Sequence, residues 1–164
     1  MISKSLQSAL NEQINFELFS AYLYLSMSAH FETQNLSGFA NWMRVQYQEE
    51  TGHAMKFYKY MFDRNGVVTL KAIAQPTTKF KTPADIFEQV LEHEQKVTSL
   101  IDKLYELASK EKDYAAQSFL QWFINEQVEE EKNATDIINM LKMIGDTPVS
   151  LMMADRQLGA RKAG

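Results

Sequence analysis

The sequence predicts an all-α fold: a four-helix bundle with one long crossover between helices 2 and 3, and a short fifth helix at the C-terminus. Three observations support this prediction. Long segments repeat apolar residues at three- and four-residue spacing, caps and breakers separate these segments, and one connection is much longer than the others. The 45% hydrophobic content with only 6 Gly and 3 Pro is typical of a compact helical protein. We expect a single domain over residues 1–164, with the bundle at 5–143.

The first two helices are expected near residues 5–33 and 37–64. Asn35 and Ser37 are candidate caps or breakers where the first helix gives way to the second, and Asn65-Gly66 follows the second. About four residues join them, so they should form an antiparallel hairpin. The apolar positions of the first helix are Leu6, Leu10, Ile14, Ala21 and Leu25.

The connection over residues 66–82 is extended in character. It can span about 55 Å, whereas a helix of about 28 residues is about 42 Å long. We therefore expect this crossover to run the whole length of the bundle.

The third and fourth helices, near 83–109 and 114–143, should form a second antiparallel hairpin. Thr82-Pro83 is a good start signal, because the missing N–H of proline costs nothing at the first helical position. A short helix near 148–158 follows Gly145 and is too short to be stable alone. The apolar residues of this helix need a partner surface. These residues are Val149, Leu151, Met152 and Leu158.

Charge and cysteine content exclude several classes of protein. A net charge of −4 provides no basic surface for nucleic acid or acidic membranes. The absence of cysteine excludes disulfide scaffolds, thiolate zinc sites and iron–sulfur clusters. The sequence shows neither an apolar run of transmembrane length nor a signal-like N-terminal segment. We expect a cytoplasmic protein without a nucleic-acid or membrane partner.

Six polar residues interrupt the apolar stripes of the predicted helices at matched spacing. They are Glu17, Glu50, His53, Glu94, Gln127 and Glu130. In each hairpin, the residue on the first helix is followed after 33 and 36 residues by the two on the second. This spacing places the three side chains near the middle of their hairpin, with the last two one helical turn apart.

Four buried carboxylates need cations to neutralise them. One unpaired buried carboxylate costs several kcal/mol, so four would rival the roughly 5–15 kcal/mol stability of a whole domain. Two divalent cations match the charge of four glutamates, and carboxylates with one imidazole suit iron or manganese. The alternative for any single glutamate is a partly solvated helix face.

With these residues in place, the sequence resembles the bacterial non-haem ferritins over essentially its full length. Glu50-x-x-His53 matches the Glu-x-x-His motif of ferritin-like di-iron proteins, whereas Gln127-x-x-Glu130 replaces the second such motif. The resemblance implies a ferritin-like bundle that oxidises Fe(II) to Fe(III) with O₂ or H₂O₂. It also implies storage of a ferric mineral inside a hollow shell of 24 identical subunits. Thr51 stands where bacterioferritin places its haem-ligating methionine, so no haem is expected.

The resemblance also implies roles for individual residues. Glu17, Glu50 and His53 would hold one iron, with Glu50 bridging to a second iron held with Glu94 and Glu130. Gln127 would hydrogen-bond a bound water or oxygen species. Tyr24 would donate electrons near the centre, or else be a core tyrosine. A third iron site would use Glu130 together with Glu49, Glu126 and Glu129, although this acidic run is also compatible with a solvated face. Trp122 shares the face of Glu126 and Glu129, where it would donate electrons or pack in the core.

Two other functions stay open at this point. One is a di-iron peroxidase or oxygenase acting on another substrate, which would need a substrate pocket and usually a second histidine. Val97 and Gln127 argue against it. The other is a non-catalytic helical bundle that sequesters metal.

Overall fold

The computed structural model describes residues 1–164 and contains five α-helices and no β-strand. The helices are α1 (Lys4–Thr33), α2 (Ser37–Asp63), α3 (Pro83–Lys110), α4 (Tyr114–Ile144) and α5 (Pro148–Gly159). The prediction of four long helices and a short fifth is confirmed, and each bound lies within one residue of the expected one. None of the five helices combines the length and the apolar character needed to cross a membrane.

The chain forms two compact units. One contains residues 1–80 and 144–164, and thus α1, α2, most of the crossover and α5. The other contains residues 81–143, and thus α3 and α4. The expectation of one domain over residues 1–164 stays a prediction.

A residue in the left-handed conformation follows each of the four long helices. Asn35, Asn65 and Lys112 have φ values of 56°, 56° and 57°, and Gly145, after α4, has φ 76°. The sequence marked Asn35, Asn65 and Gly145, because asparagine and glycine tolerate this conformation. It did not mark Lys112, since lysine has no such preference.

Side-chain caps begin four of the helices. Ser3, Thr82 and Thr147 accept hydrogen bonds from backbone N–H groups in the first turns of α1, α3 and α5. Thr82 and Asp85 form a reciprocal capping box. Asp113 accepts from the Ala116 N–H at 3.0 Å, which begins α4. These local signals explain why the predicted bounds are close to the observed ones.

The N-terminus of α2 is capped by a distant residue. Ser37, a candidate cap or breaker in the sequence, is the first residue of α2, and the N-cap residue Leu36 makes no side-chain cap hydrogen bond. Instead, Asp155 Oδ1 on α5 accepts from the N–H groups of Gly38 and Phe39 at 2.8 and 3.0 Å. A Cβ atom on Gly38 would lie 1.7 Å from the Asp155 carbonyl oxygen, so only glycine allows α5 this close to α2.

The crossover follows α1 from its first turns to its last. Near the start, Asn11 Nδ2 donates to the Val67 carbonyl at 2.9 Å and Asn11 Oδ1 accepts from the Thr69 N–H at 2.8 Å. Further along, Ser26 Oγ donates to the Thr77 carbonyl at 2.7 Å. Near the end, the His30 ring lies 5.3 Å from the Phe80 ring. His30 thus packs on the crossover.

Some of the apolar residues that the sequence marked are exposed. Leu25 continued the apolar spacing of α1, but it is 38% exposed, whereas Tyr24 is fully buried. Position 24 lies almost two full turns after Glu17 on the same face, whereas position 25 is turned about 80° away from Glu17. On α5, Leu158 is buried, while Val149 and Met152 are exposed. The contact with α2 therefore covers only part of the apolar surface of α5.

We predict that Gly38→Ala detaches α5 from α2. The added methyl group collides with the Asp155 backbone, and such overpacking costs about 1–3 kcal/mol. Thermal unfolding and limited proteolysis of the C-terminal segment measure the effect. Gly52→Ala, also in α2, is the matched control, because its Cβ would meet nothing within 4 Å. This control should raise stability by about 0.5–1 kcal/mol, and equal behaviour of the two variants would contradict the prediction.

Candidate metal centre

The first hairpin brings together three of the predicted ligands. Glu17 on α1 and Glu50 and His53 on α2 are at most 4% exposed. Each offers a ligand atom, and these atoms all lie within 4.8 Å of one another. His53 Nδ1 lies 3.4 Å from Glu50 Oε2. Two carboxylates and an imidazole are a donor set that suits iron or manganese.

Two buried amides orient the glutamates of this cluster. Gln13 Nε2 donates to Glu17 Oε1 at 2.7 Å, and Gln46 Nε2 donates to Glu50 Oε1 at 3.1 Å. Sequence reasoning missed both glutamines. The signal was present, because each glutamine stands four residues before its glutamate, one helical turn away on the same face.

The electrostatics of Glu17 indicate a cation as its partner. Burial raises the pKa of Glu17 well above its ordinary value, and the nearby Glu50 carboxylate raises it further. Glu17 Oε2 is buried and has no hydrogen-bond partner in the protein. A buried acceptor of this kind is expensive unless something neutralises it. A metal ion beside both glutamates would satisfy Glu17 Oε2 and favour the ionised form.

The second hairpin brings Glu94 on α3 and Gln127 on α4 into contact. Gln127 Nε2 lies 3.1 Å from Glu94 Oε2 and 3.2 Å from the Glu94 carbonyl oxygen, and both oxygens accept from it. Thr98 Oγ1 is a third acceptor at 3.4 Å, and its hydroxyl lies 2.6 Å from Glu131 Oε1. Gln127 therefore orients Glu94, as Gln13 and Gln46 orient the glutamates of the first hairpin.

The four glutamates expected at the third iron site differ in burial and in their neighbours. Glu130 is 5% exposed and offers a carboxylate oxygen within 4.8 Å of one from Glu126. Glu129 is exposed and belongs to no group of metal-ligating side chains. Glu49 pairs with Arg161, whose Nη2 lies 2.6 Å from Glu49 Oε2. The four carboxylates expected at the third site thus lie in three distinct environments.

Two aromatic residues that the sequence marked, Tyr24 and Trp122, and the histidine His93 differ in their burial. Tyr24 is fully buried in α1. Trp122 is 39% exposed and packs edge-on against Phe123, with 4.9 Å between the ring centroids, so it is not a core residue. His93 is half-buried, and burial lowers its pKa to about 4.

We predict that Glu17→Gln stabilises the metal-free protein at neutral pH. Because the folded pKa of Glu17 is raised, its stabilising contribution is complete below about pH 4.5 and is lost as pH rises through the folded pKa. The amide does not ionise and escapes this loss. Thermal unfolding of metal-free protein should show a difference in Tm between variant and wild type that grows with pH. A difference independent of pH, or the same trend in the exposed control Glu92→Gln, would contradict the prediction.

We predict that Gln13→Leu weakens metal binding at the first hairpin. The change removes the hydrogen bond that holds Glu17 Oε1, and loss of such an orienting partner typically costs about 10–100-fold in metal affinity. Anaerobic Fe(II) titration by calorimetry measures it. Gln48→Leu makes the same substitution at an exposed position of α2 and should leave the affinity unchanged.

Comparison with known proteins agrees with this geometry. A family model described as the ferritin-like domain matches residues 7–144. The bacterial non-heme ferritin of Bacteroides fragilis (strain 638R) is 47% identical over 98% of this chain and all of its own length. That of Staphylococcus aureus (strain USA300) is 41% identical over 98% of this chain and 97% of its own.

Solved structures give the same result. An open pore ferritin from the hyperthermophilic archaeon Archaeoglobus fulgidus is 48% identical, with a TM-score of 0.97 over 99% of both chains. A humanized archaeal ferritin is 47% identical, with a TM-score of 0.97 over 99% of this chain and 98% of its own. The chain therefore belongs to the ferritin family, with the four-helix bundle fold of that family and its function of Fe(II) oxidation and iron storage.

Proposed function

We propose that the chain oxidises Fe(II) at a di-iron centre whose residues are those marked by the matched spacing in the sequence. They are Glu17, Glu50, His53, Glu94, Gln127 and Glu130. The observation that carries the proposal is the buried cluster of the first hairpin, with the Glu17 Oε2 atom that no protein group satisfies. Two Fe(II) ions, as substrate, match the charge of the four glutamates.

Each side chain has a defined task in this proposal. Glu17, Glu50 and His53 hold one iron, and Glu50 also reaches the second iron, which Glu94 and Glu130 hold. Gln13 and Gln46 keep the carboxylates of the first hairpin in their binding orientation. Gln127 has its amide nitrogen on Glu94, so its carbonyl oxygen is the atom that would accept from a bound water.

The chemistry is a transfer of electrons from iron to oxidant. Two Fe(II) ions lose one electron each, and one molecule of O₂ or H₂O₂ accepts both together with protons from water. The protein contributes fixed positions and a charge that suits the cations. We propose that the Fe(III) product is deposited as a ferric oxyhydroxide mineral inside a shell of 24 identical subunits in the cytoplasm.

Exposed apolar side chains support the self-association. On α5 they are Val149, Met152 and Met153, and on the first hairpin they are Tyr22, Leu25, Met55 and Phe62. Single exposed apolar residues are ordinary, but several on one helix or hairpin are typical of an interaction surface. A symmetric shell would bury them against other copies of the chain.

A third iron position and an electron donor complete the proposal. Glu126 and Glu130 are close enough to share a cation, and Glu49 and Glu129 would complete the site. Tyr24 is the proposed electron donor near the di-iron centre. Haem has no part in the proposed reaction. The peroxidase, oxygenase and sequestering alternatives are not favoured, because the relatives of nearly full length are ferritins.

We predict that Glu50→Ala abolishes rapid iron oxidation. The change removes a ligand of both proposed iron positions, so the initial rate should fall by more than about 100-fold, beyond the loss typical of an orienting partner. Ferric absorbance after addition of two Fe(II) per chain in air measures the rate. Glu92→Ala, on the exposed face of α3, is the matched control. If Glu50→Ala oxidised iron as fast as this control, the assignment of the centre would be wrong.

We predict that the iron-loaded protein forms hollow particles with dense cores. Electron microscopy tests assembly and storage together, and sedimentation of iron-free protein tests assembly alone. Monomers or dimers would contradict the shell, while hollow particles without cores after iron loading would contradict storage.

A further inference from the structure

The C-terminal segment places an arginine beside the proposed iron ligands of α2. Arg161, two residues after α5, contacts three residues on that helix. Its Nη2 donates to Gln46 Oε1 at 2.9 Å and to Glu49 Oε2 at 2.6 Å, and its Nη1 donates to the Trp42 carbonyl at 3.3 Å. The guanidinium also lies over the Trp42 ring, 4.2 Å from its centroid. The side chains of Arg161 and Glu49 are only 18% and 27% exposed.

The contact with Gln46 extends to the di-iron ligands. A guanidinium can only donate hydrogen bonds, so the oxygen of the Gln46 amide must face Arg161. The nitrogen of the same amide then faces the other way, where it donates to Glu50 Oε1 at 3.1 Å. Gln46 is fully buried. Arg161 therefore sets the orientation of an amide that in turn holds Glu50.

We propose that Arg161 is a built-in cation that gates iron binding at Glu49 and couples this position to Glu50. The proposal rests on the proposed function, in which Glu49 belongs to a third iron position. The guanidinium is paired with the Glu49 carboxylate, so an iron ion reaches Glu49 only when Arg161 moves away. That movement also takes the guanidinium from Gln46, which loosens the orientation of Glu50.

The charge and the geometry of the guanidinium explain why Arg161 and an iron ion exclude each other at Glu49. A guanidinium is always protonated and repels a second cation at the same carboxylate. Its planar fork reaches Gln46 and Glu49 together, so its departure affects both. An iron ion bound at Glu49 and an Arg161 side chain that orients Gln46 toward Glu50 are therefore mutually exclusive. Fe(III) that leaves the centre toward Glu49 would displace Arg161 and loosen the ligand it has just left.

The test counts the Fe(II) ions that the iron-free protein binds without oxygen. Wild-type protein should bind two ions tightly per chain. Arg161→Gln removes the charge and should bind a third, with an affinity on the order of tenfold above that of wild type for the same ion. Lys162→Gln makes the same change of charge at an exposed neighbouring position and should match wild type. Arg161→Lys keeps a cation beside Glu49 and should also stay near two.

A double variant tests whether the Arg161–Glu49 ion pair controls iron binding or only stabilises the docking of α5. In Glu49→Gln with Arg161→Gln, the third ion should disappear, since its ligand is gone. Loss of α5 docking alone would not create an extra ion that depends on Glu49. Circular dichroism and sedimentation confirm that each variant is folded and assembled.

The outcomes distinguish the two levels of the proposal. Two ions in both wild type and Arg161→Gln, or a third ion that survives the double variant, would overturn the gate and leave the di-iron centre intact. Wild-type protein that binds no Fe(II) tightly would overturn the di-iron centre itself, and the gate with it.

Discussion

The burial of carboxylates within helical hairpins is the constraint on which the rest of this structure depends. Glu17, Glu50, Glu94 and Glu130 are at most 5% exposed, where an uncompensated charge costs several kcal/mol. Three of these glutamates each accept a hydrogen bond from a glutamine amide on one carboxylate oxygen. A bound metal ion would neutralise their charge. Helices suit this purpose, because all their backbone hydrogen bonds are internal and leave the side chains to bind cations. Burial and the nearby Glu50 carboxylate raise the pKa of Glu17, so the ionised form is disfavoured there.

The helix α2 connects the proposed centre to the C-terminus of the chain. Its first turn is capped by Asp155 of α5, its middle carries Glu50 and His53, and Arg161 lies against the turn between them. The fifth helix is short and would not be stable alone. Its attachment nevertheless places a fixed positive charge beside Glu49, a proposed iron ligand. In the proposed function, the C-terminal segment therefore affects iron binding as well as packing.

Much of the fold follows from signals that are local in sequence. The caps at Ser3, Thr82 and Thr147 and the turn residues Asn35 and Asn65 act within a few residues, so they predict helix bounds to within one residue. The errors arose where the deciding contact is distant or the signal weak. Ser37 resembled a cap, but the true cap is on α5. Leu25 matched the apolar spacing, but it lies at the edge of the buried face and is exposed.

The sequence by itself determined the helices, the long crossover and the six polar residues on apolar stripes, because periodicity and ligand spacing are properties of the chain alone. Only the tertiary structure decided which distant groups lie beside the candidate ligands. It showed that Arg161 pairs with Glu49, although the sequence suggested Glu49 only as a metal ligand. The physical reason is the separation along the chain of the residues that interact. Spacing specifies which side chains share a helix face, whereas hydrogen bonds and ion pairs over more than a hundred residues depend on how the helices pack.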